Sequence, residues 1–125
     1  MMRSGVDLIE VERIDLAILR HGDRFFSRFF TEQELIDSGG STPALAARFA
    51  AKEAVSKALG TGIGDVGWKE IEIVTGNRRQ PVLRLHGRAW RLATDQGLRD
   101  WTISLSHTHE HAIAVAVGQS AAGHD

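Results

Sequence analysis

The chain has no cysteine. That excludes disulfides, thiolate metal sites and a cysteine nucleophile, and it accords with a reducing compartment. Net charge is almost absent as well: 15 Lys and Arg stand against 16 Asp and Glu, formally −1. This balance gives no whole-molecule attraction to nucleic acid or to an anionic membrane, while leaving room for local patches. No apolar run reaches the length of a membrane span. The opening residues, MMRSGVDLIE, bring acids in too early for the apolar region of a signal peptide. The expectation is a cytoplasmic protein that binds neither membrane nor nucleic acid. Repeats, low-complexity segments and linkers are missing too. A length of 125 residues allows one domain with a modest core. That domain is read as residues 1–118, with 119–125 (QSAAGHD) as a flexible tail.

What is present centres on Thr42 to Gly64, TPALAARFAAKEAVSKALGTGIG. It reads as a long helix, N-capped by Thr42 with Pro43 at the first helical position, and ended by a glycine run. Before it come a strand (Ser4–Ile9), a helix (Glu10–His21), the phenylalanine-rich DRFFSRFF, and a short helix opened by a Thr31/Glu34 capping box. After it, Trp68–Val74 alternates apolar and charged residues as a half-buried strand, and Pro81–Leu85 returns to form a hairpin. A helix over Gly87–Gln96, a strand over Trp101–Ser106 and a last strand over His111–Val117 complete the chain. Clustered helices and hairpin-linked strands predict an α+β fold: an antiparallel sheet of short strands packed around a long central helix.

Two carboxylates stand in apolar settings, Asp7 on the first strand and Glu53 on the long helix. Burying an ionised carboxylate without a partner is expensive, so each needs a cation or several donors. One solution is a shared Mg²⁺, held by two protein oxygens plus water and phosphate. The other is structural: Asp7 caps a helix and Glu53 pairs with Lys57 or Arg48. Arg48, Lys52 and Lys57 are either a phosphate clamp or a solvated face. Among the six histidines, His107, His109 and His111 alternate. A strand would align them as a metal site, but Thr108 and Glu110 predict a turn that scatters the rings, leaving His107 at a strand end as the informative member. In DRFFSRFF the phenylalanines are expected to pack inward while Arg24 and Arg28 meet an acidic partner.

Four segments, GVDLIEVERI, FFTEQEL, ARFAAKEAVSKALGTGIG and ISLSHTHEHAIAVAV, are in the order of the holo-[acyl-carrier-protein] synthase family, which the chain resembles over nearly its whole length. The resemblance implies a 4′-phosphopantetheinyl transferase-like fold. It also implies transfer of phosphopantetheine from coenzyme A to a serine of apo acyl carrier protein in fatty-acid biosynthesis. Mg²⁺ and a homotrimer with active sites between subunits come with it. Residue by residue, Asp7 and Glu53 match the metal ligands, and Lys57 matches the lysine near the transferred phosphate. His107 matches the histidine at the coenzyme A site, and Arg48, beside the active centre, is expected with Lys57 to help bind coenzyme A. Arg13, Arg24 and Arg28 lie where the family docks its carrier. Glu53 and Lys57 carry the catalysis, the serine's proton going to Glu53 or to a water on the ion. The family's N-G-[RK]-P turn is Asn77-Arg78-Arg79-Gln80-Pro81 here, and His109 and His111 have no assigned counterpart. The competing readings are a non-catalytic module that holds an acidic partner on its first helix, and an imidazole metal sensor.

Overall fold

The 17-residue helix α4, Thr42–Ala58, is the axis of the fold. In the computed structural model, which describes residues 1–121, it is buried on almost every side. Leu45, Ala46, Ala47, Ala50, Ala51, Ala54, Val55 and Ala58 are all enclosed. A helix covered all round needs no polar stripe, which explains its scattered charges. Its cap lies one residue earlier than the sequence predicts. Ser41, not Thr42, is the N-cap, its hydroxyl accepting from the Ala44 N–H at 3.3 Å. Pro43 falls at the second helical position, where the first turn's free N–H groups still tolerate it.

Ahead of α4 come β1 (Met2–Glu10), α1 (Val11–His21), α2 (Asp23–Phe29) and α3 (Glu32–Ser38). The Thr31/Glu34 capping box opens α3, and Gly39 ends it in the left-handed conformation (φ 60°). After α4 the chain makes a 3₁₀ turn (Trp68–Glu70), then β2 (Ile71–Thr75), β3 (Pro81–Leu85), α5 (Gly87–Asp95), β4 (Leu98–His107) and β5 (His111–Ser120).

The strands form two antiparallel sheets, β1-β5-β4 and β2-β3, where a single sheet was expected. β3 runs beside β4 without joining its ladder. The three-stranded sheet packs α4 with Ile9, Ile103 and the alanines 112, 114 and 116. β5 is apolar on both faces, as its sequence suggests: alanines point inward, while Ile113 and Val115 lie on the outer, more exposed face.

Two boundaries differ from the sequence reading. Trp68–Glu70 is a 3₁₀ turn, and β2 is buried along Ile71–Val74, so the segment is not a half-buried strand. Its charged Glu72 is inside because Thr31 and His86 meet it, not because it faces water. The expected tail also begins later. Gln119 and Ser120 continue β5, opposite Met2 and Leu98 respectively, and residues 122–125 lie outside the described residues.

Candidate functional site

The site begins where β1 crosses α4. On β1, Gly5, Asp7 and Ile9 share the face turned to the helix. Gly5 makes the crossing close: a side-chain carbon there would stand 1.9 Å from the Ala54 carbonyl oxygen. Two residues on, Asp7 meets the face of α4 that carries Glu53 and, one turn later, Lys57. The Lys57 ammonium donates to the Val6 carbonyl at 2.9 Å and to Asp7 Oδ1 at 3.2 Å. Lys57 is half exposed, so this ion pair is worth at most about 1 kcal/mol. Glu53 is half-buried and, among the described residues, its carboxylate has no hydrogen-bond or ion-pair partner. Its burial, and next the Asp7 charge, push its pKa above the ordinary carboxylate value; Lys57 pulls the other way. The helix-capping and Glu53–Lys57 or Glu53–Arg48 alternatives are not what forms.

Two carboxylates that repel one another, with one lysine paired to Asp7, make an oxygen donor set of net negative charge. That donor set fits a hard divalent cation such as Mg²⁺. Among the described residues no cluster of three or more His, Asp or Glu side chains could hold a metal, so water and substrate oxygens would have to complete the shell. The imidazole sensor has no support in this arrangement.

Alongside lies a cavity of about 610 Å³. Ile9, two residues beyond Asp7, and Phe49, one turn before Glu53, both line it. Its floor is apolar, with Ile14, Phe25 and Phe29, and Arg13, Arg24 and Arg28 stand exposed around it. The Arg28 guanidinium lies 5.4 Å from the Phe29 ring centroid. As expected from the sequence, Phe25 and Phe30 go into the core. An apolar trough rimmed by guanidinium groups suits an acidic protein surface that carries a few apolar side chains.

His107 is exposed at the end of β4. It pairs across the ladder with Ala112, which faces Ile9, whereas Asp7 lies in the Ala114–Leu105 row. Two strand spacings and two residues separate His107 from Asp7, about 12 Å between Cα atoms. Within one chain the two do not meet.

The sequence profile of the 4′-phosphopantetheinyl transferase superfamily matches residues 3–116. The chain belongs to that superfamily. A holo-[acyl-carrier-protein] synthase of Herpetosiphon aurantiacus is 46% identical, covering 94% of this chain and 98% of the relative. One from Moorella thermoacetica is 44% identical over 96% and 95%. The crystal structure of Helicobacter pylori holo-[acyl-carrier-protein] synthase in complex with coenzyme A superposes with a TM-score of 0.85 at 28% identity, covering 93% of this chain and 99% of that one. These relatives make this transferase an enzyme of the holo-[acyl-carrier-protein] synthase kind.

Arg48 and Lys52 of the transferase are corrections to the sequence reading. Neither is a phosphate clamp or a solvated side chain. Arg48 is buried and points to β2, with Nε donating to the Ile73 carbonyl at 3.2 Å and Nη2 to Thr75 Oγ1 at 2.9 Å. Its expected place at the coenzyme A site does not form, because Nε and Nη2 are committed to the hairpin and Nη1 to the Ala44 carbonyl of α4. Lys52 is fully buried against Glu34, 2.7 Å away. Sequence reasoning misses this pair, because it reads Glu34 only as part of the capping box. The only local signal was a lysine inside an apolar helix. Burial pulls the Lys52 pKa down, opposed by Glu34. Lys57, one turn beyond Glu53, is the lysine that does reach the site.

Proposed function

We propose that this chain transfers 4′-phosphopantetheine from coenzyme A to a serine of apo acyl carrier protein, with Mg²⁺, in fatty-acid biosynthesis in the cytoplasm. The observation that carries the reading is the Asp7–Glu53–Lys57 constellation, two residues from Ile9 and one turn from Phe49 of an arginine-rimmed apolar groove. In the reaction the serine oxygen bonds to the phosphorus that carries the pantetheine arm. The bridging P–O bond breaks, and adenosine 3′,5′-bisphosphate leaves with that oxygen. Asp7 and Glu53 would hold the cation, which when bound neutralises phosphate charge. Lys57 is on a flexible, half-exposed stem beside Asp7 and can offer its ammonium to a phosphate oxygen. Glu53, with its raised pKa, is the base nearest to hand for the serine proton. Incubation with coenzyme A, Mg²⁺ and an apo carrier should add one phosphopantetheine to the carrier mass. No mass gain, where a control enzyme succeeds, ends this reading.

Acyl carrier proteins are acidic, and the groove's arginines give a neutral chain a local positive field. Arg24→Glu together with Arg28→Glu should raise the carrier KM by about 10–100-fold, with kcat nearly unchanged and the salt dependence flattened. Steady-state kinetics at several ionic strengths read all three. A carrier KM equal to wild type would take docking away from this groove.

A homotrimer with active sites between subunits belongs to the same proposal. Two features favour it: the apolar outer face of the sheet, with Val6 and Leu8 at 52% and 63% exposure beside Ile113 and Val115, and a His107 that its own chain leaves away from Asp7. Contiguous exposed apolar surface of this kind marks an interface. Val115→Asp should yield monomers in sedimentation and lower turnover at least about tenfold, because a charge cannot be buried there without a partner. Unchanged assembly would clear this face of the role.

A further inference from the structure

We infer that Lys52 and Glu34 are positioning residues of the transfer site. Their buried ion pair holds Trp68 so that its ring backs Phe29 and Phe49, the aromatic wall of the arginine-rimmed groove. The inference rests on the reading of that groove as the place where the acceptor docks.

Both side chains have no exposure at all. The Lys52 ammonium uses its three N–H groups on three separate acceptors: Glu34 Oε1 at 2.7 Å, the Trp68 carbonyl at 3.0 Å and the Ile71 carbonyl at 2.6 Å. Glu34 is just as fully engaged. Its Oε1 also accepts from the Thr31 N–H at 2.9 Å, and Oε2 accepts from the Ile73 N–H at 2.9 Å. The partners come from the α3 cap, the 3₁₀ turn and β2, so the pair ties α3 and α4 to the 3₁₀ turn and to β2. A buried ion pair is poor evidence of stabilisation, because apolar residues of similar volume serve a core as well or better. A fully satisfied one does fix a geometry, since every alternative leaves a buried charge or carbonyl unpaired.

The geometry fixed here leads to the groove. With its carbonyl held, Trp68 stacks on Phe49 (4.5 Å between centroids, 29° between planes) and meets Phe29 edge-on at 4.8 Å. Phe29 and Phe49 are 5.6 Å apart and both line the cavity beside Arg28. Phe49 is one helical turn before Glu53, so the wall and the carboxylate keep a set relation along α4. Lys52 touches neither the groove nor Asp7. It acts through Trp68.

The test compares Lys52→Met/Glu34→Gln, which removes both charges at nearly constant volume, with Trp68→Ala, which removes only the backing ring. Both should raise the carrier KM about tenfold while kcat and the coenzyme A KM stay within about twofold of wild type. Combined, their effects should be far from additive, since they act on one contact. In a Trp90→Phe/Trp101→Phe background, Trp68 is the sole tryptophan, and Lys52→Met/Glu34→Gln should shift its emission to the red. A folded double variant with unchanged carrier KM or emission overturns the inference, as does a loss shared equally by kcat and both KM values. If the double variant does not fold, Trp68→Ala decides alone: an unchanged carrier KM overturns it. Absence of turnover in the wild-type chain instead overturns the functional reading on which this rests.

Discussion

Glu53→Gln should abolish transfer while leaving the protein at least as stable as wild type at neutral pH. Both halves follow from the same local electrostatics. The Glu53 carboxylate is half-buried, unpartnered and beside Asp7, and its pKa lies above the ordinary carboxylate value, from burial first and Asp7 second. A folded-state value raised above the unfolded one means that the fold favours the protonated form. That preference is fully present below the unfolded-state pKa and is lost as pH rises through the folded-state value. Glutamine imitates the protonated form, so its advantage should appear above the ordinary carboxylate range and vanish in acid. Solvent screening at this half-exposed site keeps the gain below about 1 kcal/mol. Turnover moves the other way. On the proposed mechanism the cation would lose one of two protein ligands and the serine its proposed base, an expected loss of about 10³-fold or more. Asp7→Asn should be as inactive, but without the gain in stability, since it also removes the partner of Lys57. Melting curves with Mg²⁺ and coenzyme A add a second readout: wild type should be stabilised by the pair and both variants much less. Full activity in either variant would remove that residue from the site.

Gly5→Ala should be the most damaging single methyl group in the chain. The added carbon would lie 1.9 Å from the Ala54 carbonyl oxygen, 2.9 Å from its carbon and 3.0 Å from the Ala58 nitrogen. All three are backbone atoms of α4, so no side chain can turn aside. β1 must lift from the helix, at a cost of about 2–4 kcal/mol of overpacking strain. Asp7 is two residues along and rises with the strand. A displacement of about 1 Å between catalytic groups can cost about 100-fold in rate. The expected result is therefore a lower midpoint in denaturant together with a kcat/KM down by about two orders of magnitude. Gly62→Ala is the control, because nothing lies within 4 Å of that position and its backbone is not left-handed. If the two variants match, the close crossing is not what sets the site.

Much of this molecule is written locally. The Thr31/Glu34 capping box, the glycines that end α1 and α3, the β2–β3 hairpin and the α4 segment all depend on residues a few positions apart. The family motifs are contiguous too, which is why the sequence alone predicts the transferase fold. Asp7 and Glu53 were conspicuous because an acid in an apolar run needs an explanation. Charges whose partners are distant could not be read this way. Arg48 and Lys52 sit in the same helix as Lys57 and looked like its companions. Helical spacing alone does not say which face meets the site when the whole helix is covered.

The sequence by itself determined the helix and strand order, the family and the residues of unusual chemistry, because periodicity, caps and motifs act over short separations. The tertiary structure alone decided which charges work together. Lys52 finds Glu34 18 residues away, Lys57 finds Asp7 50 residues away, and Arg48 finds Thr75 27 residues away. For Lys52 and Arg48 the reason is the cost of a buried charge, which must find acceptors within reach. For the half-exposed Lys57 it is proximity alone, and only the packing of β1 and β2 against α4 sets where those acceptors are.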